Sequence, residues 1–205
     1  MVGFGSRQCL VVPNHHAYFT SLTMYEPEFG QSLSQWMNVK EVYRDPASPL
    51  PEPRFTVYEA DPDPARLMPQ PQPVRFGDNF DLEVLTPFTE PIKAGDQVTV
   101  SLGIRPLASP SIYASVFVHL YGVPTPYQGG KLWAQADSQL CASYPASLWQ
   151  TDETIVQPFV LKIPADIPPG EYSIAVGMYS GPRLPVTAPA GVTTDYIVVH
   201  KFTVP

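Results

Sequence analysis

The sequence predicts a mainly β protein: an immunoglobulin-like, two-sheet antiparallel β-sandwich carrying a small mixed α/β N-terminal segment. Three observations predict it. Twenty-six of the 205 residues are proline, roughly two to three times the ordinary frequency of about 5%, and they fall between apolar runs instead of in one tail. Proline can neither continue a helix nor donate to a sheet ladder, so this spacing restricts helix to short pieces and favours strands joined by stiff turns. Apolar runs of strand length also follow one another from residue 80 to the end, and a single stretch has helical spacing.

Residues 7–12 (RQCLVV) read as a short strand. Residues 28–44 (EFGQSLSQWMNVKEVYR) place Phe29, Leu33, Trp36, Met37 and Val39 at roughly helical intervals and predict a helix. Residues 54–60 (RFTVYEA) return to a strand. So small a strand–helix–strand unit, residues 1–60, buries little by itself and is expected to lean on the sandwich or on a partner. Residues 61–73 (DPDPARLMPQPQP) are a proline-rich, semi-rigid connector.

The sandwich is expected over residues 74–205. Its strands are 80–85, 97–104, 112–121, 131–138, 155–163, 171–179 and 195–204, with turn residues between them. In 112–121, Ala114, Val116, Val118 and Leu120 alternate with Tyr113, Phe117, His119 and Tyr121. In 171–179, Tyr172, Ile174, Val176 and Met178 form one face, launched by a proline-rich corner at Pro164, Pro168 and Pro169. The long connections 122–130 and 139–154 mark the loop ends where recognition is expected.

A formal charge of −7 and the lack of any Lys/Arg run exclude a nucleic-acid footprint. No segment approaches the ~18 apolar residues of a membrane span, so the chain has no span of its own, and the first residues lack the pattern of a secretory signal. Cys9 and Cys141 allow one disulfide tying the N-terminal segment to the sandwich, or two separately buried thiols; the second is the preferred reading.

The run from VFVHL (116–120) through DSQ (137–139), Ser147-Leu148-Trp149 and PADIPPGEYSIAVGMY (164–179) resembles a β-sandwich domain found at the C-terminal end of bacterial multi-spanning envelope proteins. These are lipid-linked-sugar (dolichyl-phosphate-mannose type) glycosyltransferases. RFTVYEAD (54–61) is similar to the junction with their preceding domain. The resemblance covers about residues 54–180. It implies an accessory, extracytoplasmic module, because the transfer chemistry of that family belongs to a membrane portion that these residues do not contain.

The residues themselves show no catalytic constellation. His15 and His16 are neighbours on an extended chain and point apart, which disfavours a shared metal with His119 or His200. The acidic pair of Asp61 and Asp63 sits in the connector, away from any nucleotide-binding pattern. The QGGK stretch at 128–131 precedes a strand and lacks the spacing of a phosphate loop. No cofactor is expected.

Two function classes follow. The first is a non-catalytic accessory module at the extracytoplasmic face of the envelope, held there by a membrane-protein partner or host polypeptide. Its expected docking face is Tyr113, Phe117, His119 and Tyr121. The second is a carbohydrate-binding module that holds polysaccharide on Tyr127, Trp133, Asp137, Tyr144 and Trp149, because aromatic faces beside polar groups can stack on sugar rings. Against this, Trp133 and Trp149 are preferentially read as plugs at the ends of the core.

Overall fold

The computed structural model describes residues 9–21, 29–45, 55–67, 74–85, 88–108, 114–142, 144, 148–187 and 193–205. The protein is mainly β, with antiparallel sheets packed in a sandwich-like arrangement. Strands β1 (Leu10–Pro13), β2 (Ala17–Ser21), β3 (Met37–Arg44) and β4 (Thr56–Pro62) come from the N-terminal part, with helix α1 (Phe29–Ser34) between β2 and β3. Helix α2 (Pro64–Leu67) follows. Then come β5 (Val74–Phe76), β6 (Phe80–Val84), β7 (Gln97–Pro106), β8 (Ser115–Gly122), β9 (Leu132–Gln139), β10 (Glu153–Lys162) and β11 (Gly170–Tyr179). Two short strands, β12 (Val186–Thr187) and β13 (Thr193–Thr194), precede β14 (Ile197–Val204).

One sheet has the order β1-β10-β7-β6-β5-β12-β13 and the facing one β14-β11-β8-β9. Each of the seven runs expected to be sandwich strands contains a strand, residues 112 and 113 lying outside the described residues. Alternation explains why they stack: Val100, Leu102 and Ile104 of β7 and Ile155, Phe159 and Leu161 of β10 meet Val116, Val118 and Leu120 of β8 and Ile174, Val176 and Met178 of β11 in one core cluster. Burying such side chains is worth about 1.5–3 kcal/mol each. The Tyr172 hydroxyl donates to Pro168 O at 2.8 Å, so the proline corner and the strand it launches are tied together.

The N-terminal residues do not form a separate body. β1 joins the seven-stranded sheet beside β10, while β2, β4 and β3 make a small sheet of their own. Phe19, Phe29, Leu33, Met37 and Ala60 pack with Val12, Leu85 and Val156 on the outer side of the large sheet. Gly103 makes this possible, because a Cβ there would sit 3.0 Å from the Leu85 side chain.

Two expectations are corrected here. The predicted helix at 28–44 ends at Ser34, and Met37–Arg44 is a strand. Phe29 and Leu33 provide one buried turn, but Val39, Val42 and Tyr43 favour a pleated surface, and pairing of Met37–Arg44 with β4 decides the state. The cysteines are not separate thiols: Cys9 and Cys141 form a disulfide, with Cα atoms 5.3 Å apart. β1 brings Cys9 to the loop after β9, which sequence distance could not reveal.

The segment 61–73, expected as a connector, begins inside β4 and continues into α2. Asp63 accepts the Ala65 N–H at 3.1 Å and pairs with Arg66 at 3.0 Å; residues 68–73 lie outside the described residues. Among the described residues no helix is long and apolar enough to cross a membrane.

Candidate functional site

The connection after β8 is short of freedom. The Gln128 and Gly130 N–H groups both donate to Thr125 O at 2.8 Å, and the Thr125 N–H donates to Gln128 Oε1 at 3.2 Å. Gly129 closes the turn at φ 85°, a left-handed conformation that suits glycine. This single turn of 3-10 helix, Pro126–Gln128, fixes Tyr127 at its centre.

Tyr127 lands on the outer face of the four-stranded sheet. Its ring stacks on Tyr196 with centroids 5.1 Å apart and planes 1° from parallel, and Tyr121 meets both rings edge-on. The Arg183 guanidinium lies 4.5 Å over the Phe117 ring and 5.5 Å from the Tyr127 ring. Its Nη1 donates to the Tyr127 hydroxyl and, at 3.0 Å, to Asp195 Oδ2. Stacked cation–aromatic contacts of this kind contribute about 0.5–2 kcal/mol each.

Arg183, Asp195 and Tyr196, which lie between β11 and β14, sit over this face. Gly177 lets Asp195 come close: a Cβ at that position would collide with the Phe117 ring and sit 2.8 Å from Asp195 O. Phe117 and Tyr121 are consequently buried, as is His119. Tyr127 is still 51% exposed.

His119 is held through both ring nitrogens. Nε2 lies 3.0 Å from Asp137 Oδ1 and Nδ1 lies 3.2 Å from the Tyr121 hydroxyl. A neutral imidazole satisfies both contacts, with Nε2–H donating to Asp137 and Nδ1 accepting from Tyr121. Burial pushes the His119 pKa down, and Asp137 opposes that shift. Burial also raises the Tyr121 phenol, with Arg183 pulling the other way.

The expected docking face is therefore corrected. Phe117, His119 and Tyr121 do point away from the core, but they are buried, with Arg183 over Phe117 and Tyr196 against Tyr121, and are not available as a flat surface. Tyr113 lies outside the described residues.

The expected glycan residues are also dispersed. Trp149 is fully buried against Phe80, with its Nε1–H donating to Tyr144 O at 2.8 Å. Tyr144 is buried beside it and donates to Leu148 O at 2.7 Å. Burial and the neighbouring Glu153 carboxylate raise the Tyr144 phenol to about 12. Both residues belong to the Cys141 end of the sandwich. Trp133 sits at the opposite end, half-buried against Tyr172, with Lys131 Nζ 4.1 Å from its ring. Only Tyr127 and Asp137 belong to the outer-face cluster.

Sequence reasoning missed Arg183, Asp195 and Tyr196. The signal available was slight: a lone arginine in GPRLP (181–185) and an Asp-Tyr pair just before the last strand. The two adjacent histidines do diverge, with His15 against Asp152 at 3.2 Å and His16 against Asp61 at 2.8 Å. No protein-family model matches the chain, and no curated protein matches it.

Proposed function

We propose that the chain is a non-catalytic, extracytoplasmic binding module of the cell envelope that holds a saccharide on the outer face of its four-stranded sheet. The observation that carries this reading is the placement of Tyr127. A large aromatic ring is kept half in solvent by a hydrogen-bonded loop, a stacked tyrosine and a guanidinium that also holds the Asp195 carboxylate. A pre-positioned ring of this sort can stack on the C–H face of a pyranose without first losing side-chain freedom.

Two further features support the reading. The Cys9–Cys141 disulfide belongs to an oxidising compartment, the environment outside the cytoplasm. The titratable group that would suit acid–base chemistry, His119, has both nitrogens committed to protein partners and no free edge for a substrate proton.

Titration calorimetry of the protein against neutral and acidic oligosaccharides, repeated with Tyr127→Ala, tests the proposal. Binding that disappears in Tyr127→Ala, with the fold intact, is the expected result. Unchanged binding in that variant removes the outer face from consideration.

A second reading has its own observation. On the small N-terminal sheet Tyr18 is 53% and Tyr43 is 46% exposed. Docking on a membrane-protein partner of the envelope would use this sheet, not the covered face of β8. Affinity purification from detergent-solubilised envelopes separates the two: a stoichiometric protein partner lost on Tyr18→Ala and Tyr43→Ala favours docking.

A further inference from the structure

Resting on the saccharide reading above, we infer that the outer-face site takes a neutral sugar presenting vicinal hydroxyls and discriminates against uronates and other anionic sugars. Some polar atoms of the Tyr127 cluster have no partner among the described residues. Arg183 uses Nη1 for the Tyr127 hydroxyl and Asp195 and also bonds to the Tyr121 hydroxyl, so it is already engaged by the protein. Asp195 uses Oδ2, and Asp137 uses Oδ1 for His119; the second oxygen of each has no partner among the described residues.

Among the described residues two carboxylate oxygens thus remain as acceptors. Neighbouring hydroxyls of one pyranose match them, since each hydroxyl can donate one hydrogen bond. A sugar carboxylate can only accept, so it leaves the aspartate oxygens facing an anion.

Charge points the same way. The fixed charges of the cluster are Arg183 against Asp195 and Asp137, a surplus of one negative charge. His119 does not offset it, because its burial and its two contacts suit the neutral ring. An anionic sugar entering the site meets one cation already engaged by Asp195 and two carboxylates. Repulsion of this kind rejects a ligand as effectively as a lost contact.

The test is a competition between tetrasaccharides of equal length: neutral ones built from mannose, galactose or glucose, and tetragalacturonate. Calorimetry on the intact chain gives the affinities, at low and at high salt. At least one neutral tetrasaccharide is expected to bind roughly tenfold or more tightly than tetragalacturonate. The gap should narrow at high salt, because screening weakens repulsion between exposed charges. It should also narrow several-fold in Asp195→Asn, which removes one charge and keeps an acceptor for Arg183. A thermal melt of Asp195→Asn establishes that the variant is folded, and the salt series provides the same comparison in the unaltered protein.

Tetragalacturonate binding as tightly as the best neutral sugar overturns the inference and leaves the saccharide reading standing. Binding of none of the tetrasaccharides overturns both. A neutral preference that persists unchanged in high salt and in Asp195→Asn overturns the electrostatic basis of the inference.

Discussion

The two long connections of the four-stranded sheet carry similar residues and come to opposite ends. The connection at 122–130 leaves Tyr127 half in solvent, whereas that at 139–154 takes Tyr144 and Trp149 into the core. The difference lies in where each aromatic's polar atom finds its partner. The Trp149 indole N–H and the Tyr144 hydroxyl are satisfied by carbonyls of their own loop, so the rings can be buried without stranding a polar group. The Tyr127 hydroxyl finds a guanidinium that is itself partly in solvent, so burial stops halfway. Anchoring reinforces the contrast: the disulfide fixes Cys141, whose N–H also donates to the buried Gln157 at 2.8 Å. One loop is part of the core; the other is a mount.

The comparison can be broken most decisively at Trp149. Trp149→Ala should cost about 3–5 kcal/mol, the usual loss for a fully buried large aromatic, in urea denaturation. Calorimetry on the fraction still folded should show unaltered saccharide affinity. A small loss of stability together with lost binding would exchange the roles of the two loops. Next in size is removal of the disulfide. Its cysteines are 132 residues apart, and Cys9→Ser with Cys141→Ser should cost about 2–5 kcal/mol. Tyr127→Ala, by contrast, should change stability by no more than about 1 kcal/mol, because the side chain is half exposed.

An effect between those of the disulfide and of Tyr127 is expected at Gly177. Gly177→Ala forces a methyl group against Phe117 and the Asp195 carbonyl, and such overpacking costs about 1–3 kcal/mol. It should displace Phe117 and Asp195 and weaken sugar binding together with stability. Loss of neither would mean that the outer face is loosely covered.

The smallest effect is on pH dependence. Burial holds His119 below its usual 6.5, so the unfolded chain takes up a proton that the folded one does not. The stability contribution is therefore complete above about 6.5 and declines as pH falls through that value toward the folded pKa. Arg183, Asp137 and Tyr121 are the groups facing the ring. Thermal melts from neutral to mildly acidic pH should show a steeper fall for the unaltered protein than for His119→Gln. Parallel curves would remove His119 as the source.

Much of the scaffold could be read before any coordinates. Alternation in β7, β8, β10 and β11 identifies strands with an apolar face, and the proline corner before Tyr172 places a turn, because both depend on residues adjacent in sequence. The helix at 28–44 failed as a reading for the complementary reason. Residues 37–44 have spacing compatible with either state, and it is pairing with β4 that selects the strand. The site was hardly readable at all. Alternation shows that Phe117, His119 and Tyr121 point away from the core, but not what lies over them. Their cover is Arg183 and Tyr196, more than sixty residues further along the chain.

What the sequence by itself determined is the mainly β architecture, the places of the seven expected sandwich strands and the inward set of β7, β8, β10 and β11. Local stereochemistry and period-two alternation dictate these, and every residue carries its own part of the signal. Only the tertiary structure decided that Cys9 meets Cys141, that Trp149 is core while Tyr127 is surface, and that Arg183 joins Asp195 beside a tyrosine stack. Each of these depends on which distant segments pack over a face, and packing is settled by the whole chain at once.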